Sequence, residues 1–295
     1  MKAPIFTGAA TAIVTPFCAS DIDAGAFARL IEMQYAGGVS AIVVCGTTGE
    51  AATLTRKEHE LLYRLTAEQC AGRMKVICGV GSNDTAKALD HARLAADAGA
   101  DGVLMVTPYY NKSTQTGLVE HFTYVADRVD IPVIVYNVPS RTGVGVAPET
   151  YAVLAGHPNI NGVKEAGGDI AAFARAMALC GGGLNFYSGN DSDTVAMMAL
   201  GAKGVISVAS NIVPDVVSRL CALCEQGDFP AAAAWQARYQ ALFDILFCEV
   251  NPIPVKTAMG LLGRCAADMR LPLVPMGEGH AAELAACLEA YGLLY

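Results

Sequence analysis

The sequence predicts a (β/α)8 barrel with a C-terminal helical extension, and three observations carry that prediction. Eight short runs, nearly all apolar and rich in β-branched residues, alternate with Ala-rich stretches whose apolar residues recur at i, i+3 and i+4. Runs apolar at almost every position belong to a parallel sheet buried on both faces. Eight repeats of strand then helix close such a sheet into a barrel. A doubly wound open sheet is the competing architecture, and the lack of a Gly-x-Gly-x-x-Gly after the first run counts against it.

The expected strands are Thr11–Pro16, Ser40–Cys45, Lys75–Val80, Gly102–Thr107, Pro132–Asn137, Ile160–Lys164, Leu184–Ser188 and Gly204–Ala209. Between them, helical periodicity runs through Asp23–Gly38, Arg56–Gly72, Asp84–Ala100, Gly117–Val129 and shorter stretches, several of them ended by Gly. From about Val213 the pattern is helix only: Pro214–Gly227, Asp228–Glu249 and Gly279–Leu294. Residues 1–225 are therefore expected to form the barrel and 226–295 a helical domain packed on it. A chain of 295 residues fits a barrel of about 250 residues plus such an extension.

Composition narrows the function. The chain is 53% hydrophobic and 16% charged, enough to bury a large core and further surface in an oligomer. Its net charge of −8 and lack of a basic block argue against a nucleic-acid partner. The N-terminal stretch lacks a signal-peptide pattern, and no apolar run reaches the roughly 18 residues of a membrane span. The expectation is a soluble, cytoplasmic protein. The ten cysteines mostly lie inside apolar strings, as small buried hydrophobes of a reducing compartment do. Cys221 and Cys224 form the one Cys-x-x-Cys, mid-helix, without a second pair or nearby His.

A barrel of this kind places its chemistry at the C-terminal ends of its strands. Those ends carry Thr15, the Gly46–Glu50 loop GTTGE, TPYYN at 107–111, YNVPSRTG at 136–143, Lys164, SGND at 188–191 and ISVAS at 206–210. No His falls at a strand end, so neither a metal site nor a Ser-His-Asp triad is expected, and no cofactor is implied. One amine, one guanidinium and several hydroxyls remain. Desolvation at an apolar barrel mouth lowers a lysine pKa. The neutral amine of Lys164 can then form a Schiff base with a ketone, and the protonated imine makes the adjacent carbon acidic. Tyr136 and Tyr110 can carry protons, while Thr47 and Thr48 can hold a carboxylate. Blander readings exist: Lys164 as ion-pair partner of Glu165 or Asp191, GTTGE as a tight turn, Tyr109 and Tyr110 as interface packing, and Arg141 paired with a surface acid.

Together, GTTGE, TPYYN, YNVPSRTG, GVKEA and NPIPVK resemble the dihydrodipicolinate synthases, which share the pyruvate-dependent class I aldolase superfamily with the N-acetylneuraminate lyases. The resemblance runs from about Phe6 to the C-terminus. It implies condensation of pyruvate with L-aspartate-4-semialdehyde to 4-hydroxy-tetrahydrodipicolinate, on the diaminopimelate route to lysine. It implies Lys164 as Schiff-base lysine, Tyr136 as general acid/base, and Thr47 and Tyr110 as relay partners, the latter reaching in from a neighbouring subunit. Thr48, Gly189 and the backbone of Ile206 match pyruvate-binding positions, and Arg141 matches the clamp for the semialdehyde carboxylate. The sialic acid lyases generally lack that arginine. A lyase for another aldehyde and a catalytically dead sensor barrel remain the alternatives. The resemblance further implies a homotetramer built as a dimer of tight dimers. Ala52, His59, Asn83 and Tyr109 match positions of a lysine-inhibition site. Two positions depart from it: Lys87 stands where inhibited relatives have a glutamate, and Arg56 replaces a histidine.

Overall fold

Residues 1–294 are described by a computed structural model. Its centre is a closed barrel of eight parallel strands in sequential order, with the first strand paired to both the second and the last. The strands are β1 (Gly8–Ala12), β2 (Ala41–Val44), β3 (Lys75–Gly79), β4 (Gly102–Val106), β5 (Val133–Asn137), β6 (Ile160–Glu165), β7 (Asn185–Ser188) and β8 (Gly204–Ser207). Helices α1 (Ala24–Ala36), α2 (Arg56–Cys70), α3 (Thr85–Asp97), α4 (Gln115–Ala126), α5 (Pro148–Ala155), α6 (Ile170–Cys180), α7 (Thr194–Ala199) and α8 (Pro214–Glu225) follow the strands in turn. The expected barrel is therefore the observed one.

Alternation along each strand sorts side chains into two cores. In β2, Ala41 and Val43 point inward and join Ala10, Ala12, Ile77, Leu104, Ile134 and Tyr187 inside the barrel. Ile42 and Val44 point outward and pack under the helices. The first strand departs from the expectation: it spans Gly8–Ala12, not Thr11–Pro16. The apolar run misplaced it because the inward positions there are small. Gly8 faces Gly204 across the closing seam. A Cβ on Gly204 would lie 1.8 Å from the Gly8 carbonyl oxygen, so this closure admits no side chain there. Ile13 and Val14, which carried the signal, lie beyond the strand in the outer core. A short antiparallel ribbon, Phe17–Cys18 with Asp21–Ile22, also escaped the periodicity.

Several helix starts are fixed locally. The carboxylates of Asp23, Asp84, Asp169 and Asp228 accept from first-turn N–H groups, and Thr55 with Glu58 forms a reciprocal capping box on α2. The C-terminal segment adds α9 (Phe229–Ile245), α10 (Ile253–Leu261) and α11 (Glu278–Ala290). α9 packs on α8 and α11, while α10 packs on α11 and on the turn after β8. No helix among the described residues is long and apolar enough to cross a membrane. All ten cysteines are free; six are buried, and Cys18 is exposed. Cys221 and Cys224 lie buried in α8.

Candidate active site

Lys164 reaches the barrel interior through an irregularity in its strand. Ile160 and Val163 both face the outer core although they are three residues apart, which strict alternation forbids. The register between β5 and β6 slips at this point: Val133 faces Ile160, but Ile134 faces Gly162. The extra residue, Asn161, reverses the faces, so that Val163 points out and Lys164 points in. Lys164 thereby sits beside Tyr136 in register, with Nζ 4.5 Å from the phenol ring centroid.

Lys164 is 6% exposed, and no ion pair or side-chain hydrogen bond among the described residues engages its amine. The two nearby acids are already occupied. Glu165 accepts from Asn137 Nδ2, from Tyr151 Oη at 2.6 Å and from the Gly167 N–H at 2.7 Å. Asp191 accepts from Ser207 Oγ and from the N–H groups of Val208 and Ala209. The ion-pair reading of Lys164 is thereby set aside. Burial brings its pKa down to about 8; the Asp191 charge opposes this and Arg141 adds to it. With its pKa about one unit above neutrality, roughly a tenth of the amine is unprotonated at pH 7 and free to attack a carbonyl.

Tyr136 is 8% exposed. Burial raises its pKa, while Arg141 and the Thr47 hydroxyl pull it back. Its phenol keeps its proton at neutral pH and can pass it on. The GTTGE loop turns tightly above the strand: Gly46 O accepts from the N–H groups of Gly49 and Ala51, and Glu50 takes a left-handed φ of 56°. Thr48 is buried, its Oγ1 held by Asn251 Nδ2 at 3.0 Å. Arg141 is exposed on the short helical turn Pro139–Thr142, where Nη2 donates to the Asn251 carbonyl at 3.2 Å. It joins no ion pair among the described residues, so the surface-pair reading fails as well.

A cavity of about 770 Å³ opens at this end of the barrel. Thr47, Tyr136 and Arg141 line it. So do Ala52, Arg56, His59, Asn83, Lys87 and Tyr109. The remaining expected residues stand off its wall. Lys164 lies beside the Tyr136 ring. Gly189 donates its N–H to Glu165 O at 2.7 Å, and a Cβ there would meet the Ala166 Cβ at 2.6 Å. Ile206 is fully buried in β8, facing Ala10. Tyr110 is 92% exposed, with a left-handed φ of 71° unusual for a bulky residue.

In the outer part of the cavity, Arg56 makes a two-pronged pair with Asp90 at 2.7 and 3.0 Å. Lys87 is exposed and enters no ion pair among the described residues. His59 bridges Tyr63 Oη and Ala51 O, and burial, followed by His91, lowers its pKa to about 4. It is neutral at physiological pH. GTTGE and NPIPVK stood out in the sequence, but Glu50, Asn251 and Lys256 received no role from it, and Arg270 was passed over; Asn251 bonds to Thr48 of the loop, and Lys256 and Arg270 to Glu50. A lysine within the apolar stretch Ile253–Leu261 was the available signal.

The pattern of the dihydrodipicolinate synthetase family matches residues 5–291. A 4-hydroxy-tetrahydrodipicolinate synthase of Geobacter sulfurreducens is 49% identical over 290 residues, covering 98% of this chain and all of the relative. The crystal structure of a dihydrodipicolinate synthase from Aquifex aeolicus superposes with a TM-score of 0.96 at 44% identity, over 98% of this chain and 99% of that one. The synthase from Cyanidioschyzon merolae with lysine bound superposes with a TM-score of 0.95 at 38% identity, over 99% of this chain and 100% of that one. With a fold, a buried free amine and strand-end motifs that agree with these likenesses along nearly its whole length, the chain belongs to the dihydrodipicolinate synthetase family.

Proposed function

We propose that this chain is a 4-hydroxy-tetrahydrodipicolinate synthase, a lyase of the class I aldolase type that joins pyruvate to L-aspartate-4-semialdehyde in lysine and diaminopimelate biosynthesis. The observation that carries the reading is the buried, unpartnered amine of Lys164 beside Tyr136. The neutral amine attacks the ketone carbon of pyruvate, and loss of water leaves a protonated imine. The methyl carbon then gives up a proton, and the resulting enamine attacks the aldehyde carbon. The amine of the semialdehyde unit then displaces Lys164 from the imine carbon and frees the product. Each step moves a proton to or from carbon, nitrogen or oxygen, which is the task assigned to Tyr136, with Thr47 beside it and Tyr110 of a neighbouring subunit completing the relay. Thr48, Gly189 and the Ile206 backbone hold pyruvate, and Arg141 holds the carboxylate of the second substrate. No step calls for a metal or a cofactor.

Two exposed aromatics, Tyr109 and Tyr110, beside the cavity support assembly through that face, and exposed Val153, Leu179 and Leu200 offer apolar surface elsewhere. A homotetramer, as a dimer of dimers, in the cytoplasm completes the proposal. Arg141 favours this reaction over that of a lyase for a polyhydroxylated aldehyde, and the intact Lys164–Tyr136–Thr47 set favours it over a sensor barrel. Borohydride reduction in the presence of pyruvate tests it: the wild-type chain gains the mass of reduced pyruvate at Lys164, and with the semialdehyde it consumes both substrates. A chain that gains no mass overturns the reading. One that traps pyruvate but ignores the semialdehyde moves it to another aldehyde.

A further inference from the structure

The Gly46–Glu50 loop sits on a charge pair delivered from the far end of the chain. Lys256, in α10, is 0% exposed. Its Nζ donates to Glu50 Oε1 at 2.6 Å and to the Thr15 carbonyl at 2.9 Å. The other oxygen, Glu50 Oε2, accepts the Arg270 N–H at 3.0 Å. Thr15 Oγ1 in turn donates to the Gly49 carbonyl at 2.7 Å. Five residues before Lys256, Asn251 donates to Thr48 Oγ1 and accepts from Arg141. The loop is thus gripped at Thr48, Gly49 and Glu50 by groups outside it.

Stability alone does not account for this arrangement. Replacing a buried ion pair with apolar groups of similar volume is often neutral or stabilising, because taking two charges from water is costly. What a short, two-sided charge pair supplies is a fixed geometry. Glu50 occupies a left-handed conformation that is unfavourable for a non-glycine residue, and surrounding contacts must over-determine it. Its side chain is tied by Lys256 and Arg270, which holds that turn and, one and two residues earlier, Gly49 and Thr48.

We propose that Lys256 is a positioning residue for the pyruvate subsite: through Glu50 and Thr15 it fixes the GTTGE loop so that Thr47 and Thr48 face the Lys164–Tyr136 pair. The inference rests on the reading of that loop as the pyruvate-carboxylate site. It gives the helical extension a part in substrate binding.

The test compares Lys256→Met, which strands Glu50, with the double variant Lys256→Met/Glu50→Leu, which removes both charges. The single variant loses thermal stability. The double variant recovers it, yet its half-saturating pyruvate concentration for borohydride trapping rises about tenfold, with a smaller fall in the saturated trapping rate. Hydrogen exchange of the peptide covering residues 46–53 accelerates about tenfold in the double variant, while peptides of β5 and β6 keep their protection. A stable double variant with unchanged exchange and unchanged half-saturation overturns the proposal. A double variant as unstable as the single one overturns it too, because the pair then serves the fold. If the wild type traps no pyruvate, the reading of the site fails, and the exchange of residues 46–53 still decides whether the pair fixes the loop.

Discussion

Two buried lysines reach the same end of this barrel, and they differ in what surrounds them. Lys164 is 6% exposed and Lys256 is 0% exposed. Each amine lies over an aromatic face, 4.5 Å from the Tyr136 centroid in one case and 4.4 Å from Phe17 in the other. Neither burial nor the ring therefore separates them. The counter-ion does. Lys256 donates to Glu50 and to a backbone carbonyl, so burial lowers its pKa but the hydrogen-bonded carboxylate works against the shift. The acids near Lys164 are spent on Asn137, Tyr151, Ser207 and backbone N–H groups, and its pKa falls to about 8. Giving the neighbouring carboxylates other donors leaves this amine without a hydrogen-bonded counter-ion to offset its burial.

The comparison breaks most sharply in covalent chemistry. Lys164→Ala is expected to abolish the borohydride-trapped pyruvate adduct, since Lys256 is held as an ammonium by Glu50. An adduct that persists at another lysine in peptide mass mapping would sink the assignment. Arg141 is next in size. It is exposed and bound only to the Asn251 carbonyl, so it is free for a substrate carboxylate. Arg141→Ala should cost roughly 2–5 kcal/mol in kcat/KM for the semialdehyde, on the scale of truncated buried charge pairs, since the bound carboxylate would cover the guanidinium, while pyruvate trapping survives. Unchanged turnover would shift the reaction toward another aldehyde.

Stability should move in opposite directions at the two lysines. The folded pKa of Lys164, about 8, lies below the ordinary value of 10.5, so folding disfavours its protonated form. Below pH 8 both states are protonated and the full cost is present. Between about pH 8 and 10.5 the unfolded chain binds more protons, and stability rises with pH. A shift of this size is about 3 kcal/mol. Lys164→Met should thus raise stability at pH 7 by up to about 3 kcal/mol, with the gain shrinking as the pH approaches 10. Lys256→Met should lower it by about 3–5 kcal/mol, because it leaves the buried Glu50 carboxylate without its ammonium partner. Urea unfolding of both variants at pH 7 and pH 9.5 checks the signs; two shifts of the same sign would remove the distinction between the sites.

The same contrast marks what the sequence made legible. Lys164 could be found because it ends an apolar run at a strand end, where local pattern and barrel geometry coincide. Tyr136, Thr47 and Arg141 were found in the same way, and the structure brings all three to one cavity. Lys256 closes the quoted NPIPVK motif, but its role could not be read, because its partner lies 206 residues away and its segment, with prolines at 252 and 254, does not read as a helix start. Pro is tolerated in the first helical turn, where its missing N–H is not needed. The first strand slipped for a related reason: glycine and alanine at a tight barrel seam give no β-branched signal. Tertiary contact, rather than local propensity, decides both positions.

A third lysine extends the comparison to the outer cavity. Lys87 is exposed and unpaired among the described ion pairs, and it lines the same cavity as Arg141. The resemblance places it where lysine-inhibited relatives have a glutamate. A free lysine ligand carries two ammonium groups and one carboxylate, so its site must supply acceptors. Two like charges about 4 Å apart repel by about 1 kcal/mol in water and by several at lower effective dielectric, and the lost attraction adds a similar amount. A swing of about 3 kcal/mol is more than a hundredfold in affinity. Other groups do not offset it. His59 stays neutral, with its pKa at about 4, and Arg56 is already neutralised by Asp90. Tyr109 and Asn83 still line the space. Lysine is therefore expected to inhibit weakly or not at all, and Lys87→Glu to gain sensitivity. A steady-state titration decides it: half-inhibition of the wild type at submillimolar lysine, with little change in Lys87→Glu, would show that charge at this position does not govern the site.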